Sequence, residues 1–214
     1  MKKIGALIFI LHSLVVNSQD DFKHKAQIDL GVGATVFSIP NTLDINIGKA
    51  FATAIKFDAT FEVKRHFSIG LGLTQNLYKT EKDTFDTFVE ARSPIILFLA
   101  NYHLIDKKKF NFCIGTGVGV GALNYTRSVL YDSTKTVGKV HTQGPSFLLN
   151  AQMRYYFSKS IGMFFRAQYV VNGGRLTSFT INGQEMARIE DQLIENVIFS
   201  FRGISGSFGL SFRF

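Results

Sequence analysis

The sequence predicts an all-β fold, namely an eight-stranded antiparallel up-and-down transmembrane β-barrel. Three observations support this prediction. Segments of alternating apolar and polar residues recur along the chain, their connections are alternately long and short, and the charged residues inside the segments share the polar parity. Successive side chains of a strand point to opposite faces of a sheet, so each segment would have one apolar and one polar face. In a transmembrane barrel the apolar face meets lipid and the polar face lines the lumen.

The C-terminal segment shows the alternation most clearly. Residues 203–214 read GISGSFGLSFRF, with phenylalanine and leucine at even positions from Phe208 to Phe214 and with serine, glycine and Arg213 at odd positions. A soluble sheet could carry the same pattern with its apolar face in a core. At this point a soluble, lipocalin-like carrier therefore stays open as an alternative.

Eight segments share this alternation. In chain order they cover about residues 26–38, 48–63, 67–79, 92–105, 110–125, 145–157, 161–175 and 197–214. The short connections are Lys64 to His66, Asp106 to Lys109 and Ser158 to Ser160, and the long polar ones are 39–47, 80–91, 126–143 and 176–196. An even strand number with short turns at one end and long loops at the other is typical of outer-membrane barrels. Both termini would lie at the short-turn end.

The fourth segment does not show which of its faces points outward. Residues 94–100 are apolar on both parities. We expect Ile96 and Phe98 to face outward, in line with Tyr102. This choice leaves Leu97 and Leu99 inside, as an apolar patch in the lumen.

The last long connection contains a turn signal. Asn182-Gly183 predicts a hairpin turn, so this connection could extend as a ribbon beyond the barrel. Residues 184–195 are also compatible with a short helix, and the sequence does not decide between the two.

The fifth segment has glycine on one parity, from Gly115 to Gly121. Such glycines leave room for larger inward side chains from neighbouring strands and allow tight curvature. A nucleotide-binding loop would need a helix directly after the glycines, and no helical pattern follows them.

The N-terminus resembles a secretory signal peptide, which we predict over residues 1–18. Lys2 and Lys3 precede an apolar run from Ile4 to Val16 that is too short to span a bilayer as a helix. Cleavage after Ser18 would leave residues 19–214 as an outer-membrane β-barrel domain. The mature chain has no other long apolar run, so it could cross a membrane only as a closed barrel.

Charged residues within the predicted strands all lie on the inward parity. They are predicted to form a structural ion network in the lumen, with the members Asp29, Lys56, Asp58, Glu62, Arg154, Arg166 and Arg213. A lipid-facing arginine at mid-bilayer costs roughly 2–4 kcal/mol, which explains the bias. Asp58 and Glu62 could instead suggest a catalytic carboxylate pair, but four residues of strand separate them by about 13 Å. That distance is too long for concerted acid–base work on one bond.

Little else in the sequence points to chemistry. Five scattered histidines and the single Cys113 have no metal-ligand spacing, so we expect no metal site and no cofactor. The formal net charge is +8, yet a secretory signal argues against nucleic acid as a partner. The lysines of the short turns either keep those turns soluble or attract anionic groups at a membrane surface. His103 or His141 with a nearby serine would be the candidates for an enzyme, but we expect no enzymatic activity.

Several stretches resemble the small outer-membrane barrels called PorT-like and, more broadly, the eight-stranded OmpX and OmpA-type barrels. They are the runs at 94–97, 107–110 and 114–121, the turn at 157–160 and the closing GLSFRF of 209–214. The resemblance implies a location in the bacterial outer membrane, with lipid as the surrounding partner. It also implies that the final strand, ending at Phe214, is read by the barrel-assembly machinery.

The expected function is that of a structural or interaction protein of the outer membrane. An eight-stranded barrel has an interior filled by side chains, so activity would reside in the long external loops, where protein partners would bind. Adhesion, membrane integrity and accessory work in secretion are the roles that the resemblance implies. A narrow conduit or binder for small apolar molecules is the alternative, suggested by Leu97 and Leu99.

Overall fold

The computed structural model describes residues 26–38, 49–64, 66–79, 88–131, 134–185 and 198–214. Its strands are β1 (Ala26–Ser38), β2 (Lys49–Lys64), β3 (Phe67–Lys79), β4 (Phe88–Asp106), β5 (Phe110–Tyr131), β6 (Thr134–Tyr156), β7 (Ile161–Ile181), β8 (Gln184–Glu185) and β9 (Ile198–Arg213). Within these ranges no helix is long and apolar enough to cross a membrane. The predicted signal peptide, the connection at 39–47 and most of the connection at 80–91 lie outside the described residues.

Eight of these strands close into a ring, which confirms the predicted fold class. The order is β6-β5-β4-β3-β2-β1-β9-β7, and pairing of β6 with β7 completes the circle. All neighbours in the ring are antiparallel. The two-residue strand β8 pairs with β7 as one arm of a hairpin. Closure removes the edges of the sheet, so the backbone polar groups of the wall can be satisfied inside hydrocarbon.

The apolar parity of the strands faces outward, as predicted. In β9, Phe208 is 63% exposed whereas Ser207 beside it is 1% exposed. The fourth predicted segment follows our choice, because Ile96 and Phe98 are exposed while Leu97 and Leu99 are buried. This orientation excludes the soluble lipocalin-like alternative, which requires the aromatic row inside and the charged row in water.

Strands β4 to β7 are longer than the sequence predicted at the loop end of the barrel. The connection predicted at 126–143 is wrong: β5 runs to Tyr131 and β6 starts at Thr134. Likewise β4 starts at Phe88 instead of 92, and β7 runs to Ile181 instead of ending near 175. These polar stretches are rich in threonine and valine, which favour strands. Cross-strand pairing can therefore continue past the lipid into water.

The hairpin signal at Asn182-Gly183 is confirmed. Both residues have positive φ, 51° for Asn182 and 82° for Gly183, as the favoured two-residue turns of a β-hairpin require. The turn is also tied to β6, because Val137 N donates to Asn182 Oδ1 at 2.8 Å and Asn182 N donates to Val137 O at 2.8 Å. The connection thus begins as a ribbon. Residues 186–195 of the alternative helix lie outside the described residues.

Interior glycines face bulky side chains of other strands. A Cβ added to Gly117 would lie 2.9 Å from Leu99 Cδ2, and one added to Gly31 would lie 2.5 Å from Phe164 Cζ. Real Cβ atoms do not approach neighbours so closely. The prediction that the glycines of β5 make room for inward side chains is therefore confirmed.

Candidate functional site: the barrel interior

A buried ionic cluster crosses the lumen. Asp29 Oδ2 on β1 accepts hydrogen bonds from Arg154 Nη2 at 2.8 Å and Nε at 3.2 Å, and Arg166 Nη2 lies 3.7 Å from the same oxygen. Arg166 also forms an ion pair with Asp58 on β2. All four side chains are buried. Two arginines thus neutralise two carboxylates, which offsets the cost of removing these charges from water.

Gln152 on β6 connects the two halves of this cluster. Its Nε2 donates to Asp29 Oδ2 at 2.8 Å, and its Oε1 accepts from Arg166 Nε at 3.0 Å and Nη2 at 2.6 Å. The contacts of the cluster connect β1 with β6 and β7, β2 with β7, and β6 with β7. Only β6 and β7 are neighbours in the ring, and every other pair is separated by at least one strand. The hydrogen bonds therefore join strands from different sides of the barrel and close the lumen at this level.

The other three predicted members of the ion network form different contacts in the interior. Lys56 is buried and donates from Nζ to Ser205 Oγ at 2.9 Å. Glu62 lines a small cavity near the three short turns. Arg213 is buried at the same end, where its guanidinium carbon lies 3.7 Å from the centre of the Tyr156 ring. The structure thus brings four of the seven residues together, places Lys56 two residues from Asp58 on the same face of β2, and places Glu62 and Arg213 at another level.

An apolar cluster closes the lumen a second time. It consists of buried side chains from β2, β4, β6 and β7, namely Ala52, Ile95, Leu97, Leu99, Leu148 and Val170. Leu97 and Leu99 are the two residues that the sequence placed in the lumen. Because the cluster draws on strands around the ring, the barrel has a packed interior at this level and not an open pore.

The end of the barrel that carries the three short turns, hereafter the turn end, contains a serine–histidine contact. His103 Nε2 lies 2.9 Å from Ser68 Oγ, and His103 Nδ1 lies 2.8 Å from Asn111 Nδ2. Ser68, His103 and Asn111 line a cavity of about 40 Å³, which Glu62 and Asp106 also line. A histidine next to a serine is the candidate that the sequence offers for an enzyme. The protonation of His103 therefore decides whether this pair could act as a nucleophile and its base.

Hydrogen bonds to Asn111 fix the tautomer of His103. Arg154 Nη1 can only donate, and it donates to Asn111 Oδ1 at 2.9 Å. Asn111 Nδ2 therefore donates to Asp106 Oδ1 at 3.0 Å and to His103 Nδ1. A histidine that accepts at Nδ1 carries its proton on Nε2 and donates it to Ser68. A serine nucleophile needs the opposite arrangement, with Nε2 free to take the hydroxyl proton, so in this tautomer His103 is not set to act as the base of Ser68.

His141, the other histidine considered for an enzyme, lies far from this contact. It is on the part of β6 that extends past the barrel, and its Nδ1 contacts Asn124 Oδ1 of β5. Among the described residues, no group of three or more His, Cys, Asp or Glu side chains is placed to hold a metal ion.

The predicted ion network leaves out three residues that form hydrogen bonds in the interior: Gln152, Asn111 and Tyr156. Parity places all three inside, and it could have marked them as buried polar groups that need partners. Parity does not give their partners, because these come from strands that are remote in the sequence, such as Asp29 for Gln152 and Ser211 for the hydroxyl of Tyr156.

Comparisons with known proteins agree with this fold. No protein-family model and no curated protein matches the sequence. A major outer membrane protein of Thermus thermophilus superimposes with a TM-score of 0.51 at 8% identity, over 89% of this chain and 100% of that one. OprG of Pseudomonas aeruginosa gives 0.49 at 13% identity over 91% and 99%, and Neisserial surface protein A gives 0.48 at 9% over 88% and 97%. At such identities the similarity concerns the fold.

The closed ring, the outward apolar belt and the enclosed ionic interior define the class of this protein. It is a small integral β-barrel of the bacterial outer membrane with the eight-stranded architecture of the OmpA and OmpX type.

Proposed function

We propose that this protein is a structural and interaction protein of the outer membrane, which anchors an external β-ribbon in a closed barrel. The ribbon comprises residues 124–131 of β5, 134–143 of β6 and 175–185 of β7 and β8. The observation that carries the proposal is strand length. The 22 residues of β5 span roughly 70 Å at about 3.3 Å each. At a tilt of about 45° this is still a height of roughly 50 Å, whereas the apolar band of such barrels is about 25 Å tall.

The ribbon is packed and not merely extended. Tyr125 and Val140 are buried in an apolar cluster with Ala91 and Leu123, and partly buried side chains such as Phe179 pack against it. Basic residues on the ribbon are exposed: Arg127, Lys135, Lys139 and Arg175. A rigid, charged surface of this kind suits binding of partners outside the cell.

Within this role, adhesion, membrane integrity and accessory work in secretion are the candidate activities, and the last of them corresponds to the PorT-like resemblance. The turn end would face the periplasm. Phe214, which is exposed at the end of β9, would be the residue that the assembly machinery reads. The His103 tautomer supports a non-enzymatic role.

A ribbon-trimmed variant tests the proposal. Thr126 and Lys139 are cross-strand partners, so joining them through Asn-Gly removes residues 127–138 while preserving register. We expect this variant to insert and to show heat-modifiable migration like the intact protein. It should also reproduce every envelope phenotype of the deletion strain, whether in adhesion, detergent sensitivity or secreted proteins. An inserted, trimmed barrel that restores all these phenotypes would contradict the proposal.

The narrow conduit for small apolar molecules is the second candidate, and the apolar cluster around Leu97 and Leu99 is the observation that favours it. The cluster is fully buried and the ionic cluster closes the lumen at another level. We therefore expect no single-channel conductance in planar bilayers and no faster uptake of an apolar dye into liposomes that contain the protein. Dye uptake that slows when Leu99 is replaced with phenylalanine would favour the conduit instead.

A further inference from the structure

The turn end carries a set of exposed lysines next to exposed aromatic residues. The set, hereafter the lysine rim, comprises Lys64, Lys107, Lys108, Lys109 and Lys159, all of them exposed. These residues belong to three separate turns of the sequence, and all three turns lie at the same end of the ring. From these positions we infer that the rim binds the phosphate groups of anionic phospholipids in the leaflet that surrounds the turn end.

Two of the three turns are joined into one surface by Arg213. Its Nε donates to the carbonyl oxygen of Lys159 at 2.7 Å, and its Nη2 donates to the carbonyl oxygen of Lys108 at 2.5 Å. Tyr156 N also donates to Lys109 O at 2.8 Å. The backbone of the rim is therefore held in place by buried groups, and Lys108 and Lys159, which are far apart in the sequence, become neighbours in space.

The depth of the rim matches lipid headgroups. Exposed aromatics mark the edge of the hydrocarbon at this end, among them Phe67, Tyr155 and Phe157. Lys64 is the cross-strand partner of Phe67, and Lys159 follows Phe157 by two residues. Lys64 is thus level with the hydrocarbon edge and Lys159 lies in the turn just after it. From such positions a long lysine side chain extends its ammonium group into the headgroup layer, which is roughly 5–7 Å thick on each side of the hydrocarbon core.

At the turn end, acidic and basic side chains lie in different places. The carboxylates of Glu62 and Asp106 line the cavity inside the mouth of the barrel, whereas the lysines of the rim are exposed. A lipid that approaches the outside of the wall would therefore meet positive charge first. Each lysine near an anionic surface is expected to strengthen binding on the order of fivefold.

The experiment compares the lipid selectivity of the intact protein and its variants in vesicles that contain equal amounts of phosphatidylglycerol and phosphatidylcholine. Spin-labelled forms of the two lipids report the relative association constant at the barrel surface. We expect the intact protein to prefer phosphatidylglycerol several-fold, and 1 M salt to reduce the preference because it screens exposed charges. The triple variant Lys107→Gln, Lys108→Gln, Lys109→Gln should lose most of the preference.

Two further variants keep the result interpretable. Replacing Lys135, Lys139 and Arg175 with glutamine removes the same charge from the ribbon, away from the bilayer, and should leave the preference unchanged. Arginine in place of Lys107, Lys108 and Lys109 keeps the charge and should also retain it. The inference is overturned if the intact protein shows no preference, as it would if the rim instead served an acidic protein. Equal losses in the rim and ribbon variants would overturn it as well.

Discussion

Replacing Arg166 with methionine is expected to lower the free energy of unfolding by about 3–5 kcal/mol. Arg166 pairs with Asp58, lies 3.7 Å from Asp29 and donates two hydrogen bonds to Gln152. Its removal leaves the buried carboxylate of Asp58 without its arginine, in an interior that water does not reach freely. The change in the free energy of unfolding is measured by urea titration of the protein in lipid vesicles, with the loss of heat-modifiable migration on a gel as the readout.

An exposed ion pair provides the matched control for Arg166. Arg92 and Glu90 contact each other at 2.6 Å, but their side chains are 63% and 34% exposed. Arg92→Met should therefore cost no more than about 1 kcal/mol. Combining Asp58→Asn with Arg166→Met should cost less than the sum of the two single changes, because the double variant removes both charges. Additive costs, or a loss at Arg166 no larger than at Arg92, would show that the ionic cluster does not stabilise the barrel.

Replacing Phe165 with arginine is expected to cost about 2–4 kcal/mol in the same unfolding assay. Phe165 lies four residues along β7 from its start at Ile161 and is exposed on the outer face, opposite Phe208 of β9 and Met153 of β6. An arginine there would meet hydrocarbon. Arg166, the next residue in the chain, is an arginine on the inner face. The expected loss therefore comes from the outward direction of the new side chain and not from the presence of an arginine in β7.

Ile161 is the control position for this second prediction. It lies on the same face of the same strand, at the turn end. An arginine near the interface can reach water, so Ile161→Arg should cost only about 0–1 kcal/mol. Equal losses at the two positions would mean that the outer face does not have the depth profile of a bilayer.

The sequence predicted the turn end of the barrel much better than the loop end. Short turns such as Asp106 to Lys109 are bounded by clear alternation on both sides, so the strand ends beside them are within about a residue of the structure. At the loop end, stretches of polar residues such as 126–143 had the composition of a loop, but the strands continue through most of them. Thr126 and Lys139 pair there on the outer face, while the adjacent pair of Tyr125 and Val140 packs into a buried apolar cluster whose few apolar residues are scattered among polar ones in the sequence.

Facing was predictable from parity, whereas the contacts of the interior were not. Asp29, Asp58, Arg154 and Arg166 are inward by parity alone. Which of them meet depends on strand tilt and on the stagger between strands around the closed ring, neither of which is encoded locally. The turn-end residues show the same limit, since nothing near Arg213 in the sequence indicates that it holds the turns at Lys108 and Lys159 together.

In this barrel the apolar face of the strands meets lipid and the charged face is enclosed. The chain has no tryptophan, so single-tryptophan variants report from one position each. Phe164 and Phe165 are adjacent on β7, yet they are 3% and 51% exposed. In vesicles whose lipids carry bromine on the acyl chains, the fluorescence of Phe165→Trp should be strongly quenched and that of Phe164→Trp only weakly. Equal quenching of the two variants, or stronger quenching of Phe164→Trp, would contradict this orientation of the two faces.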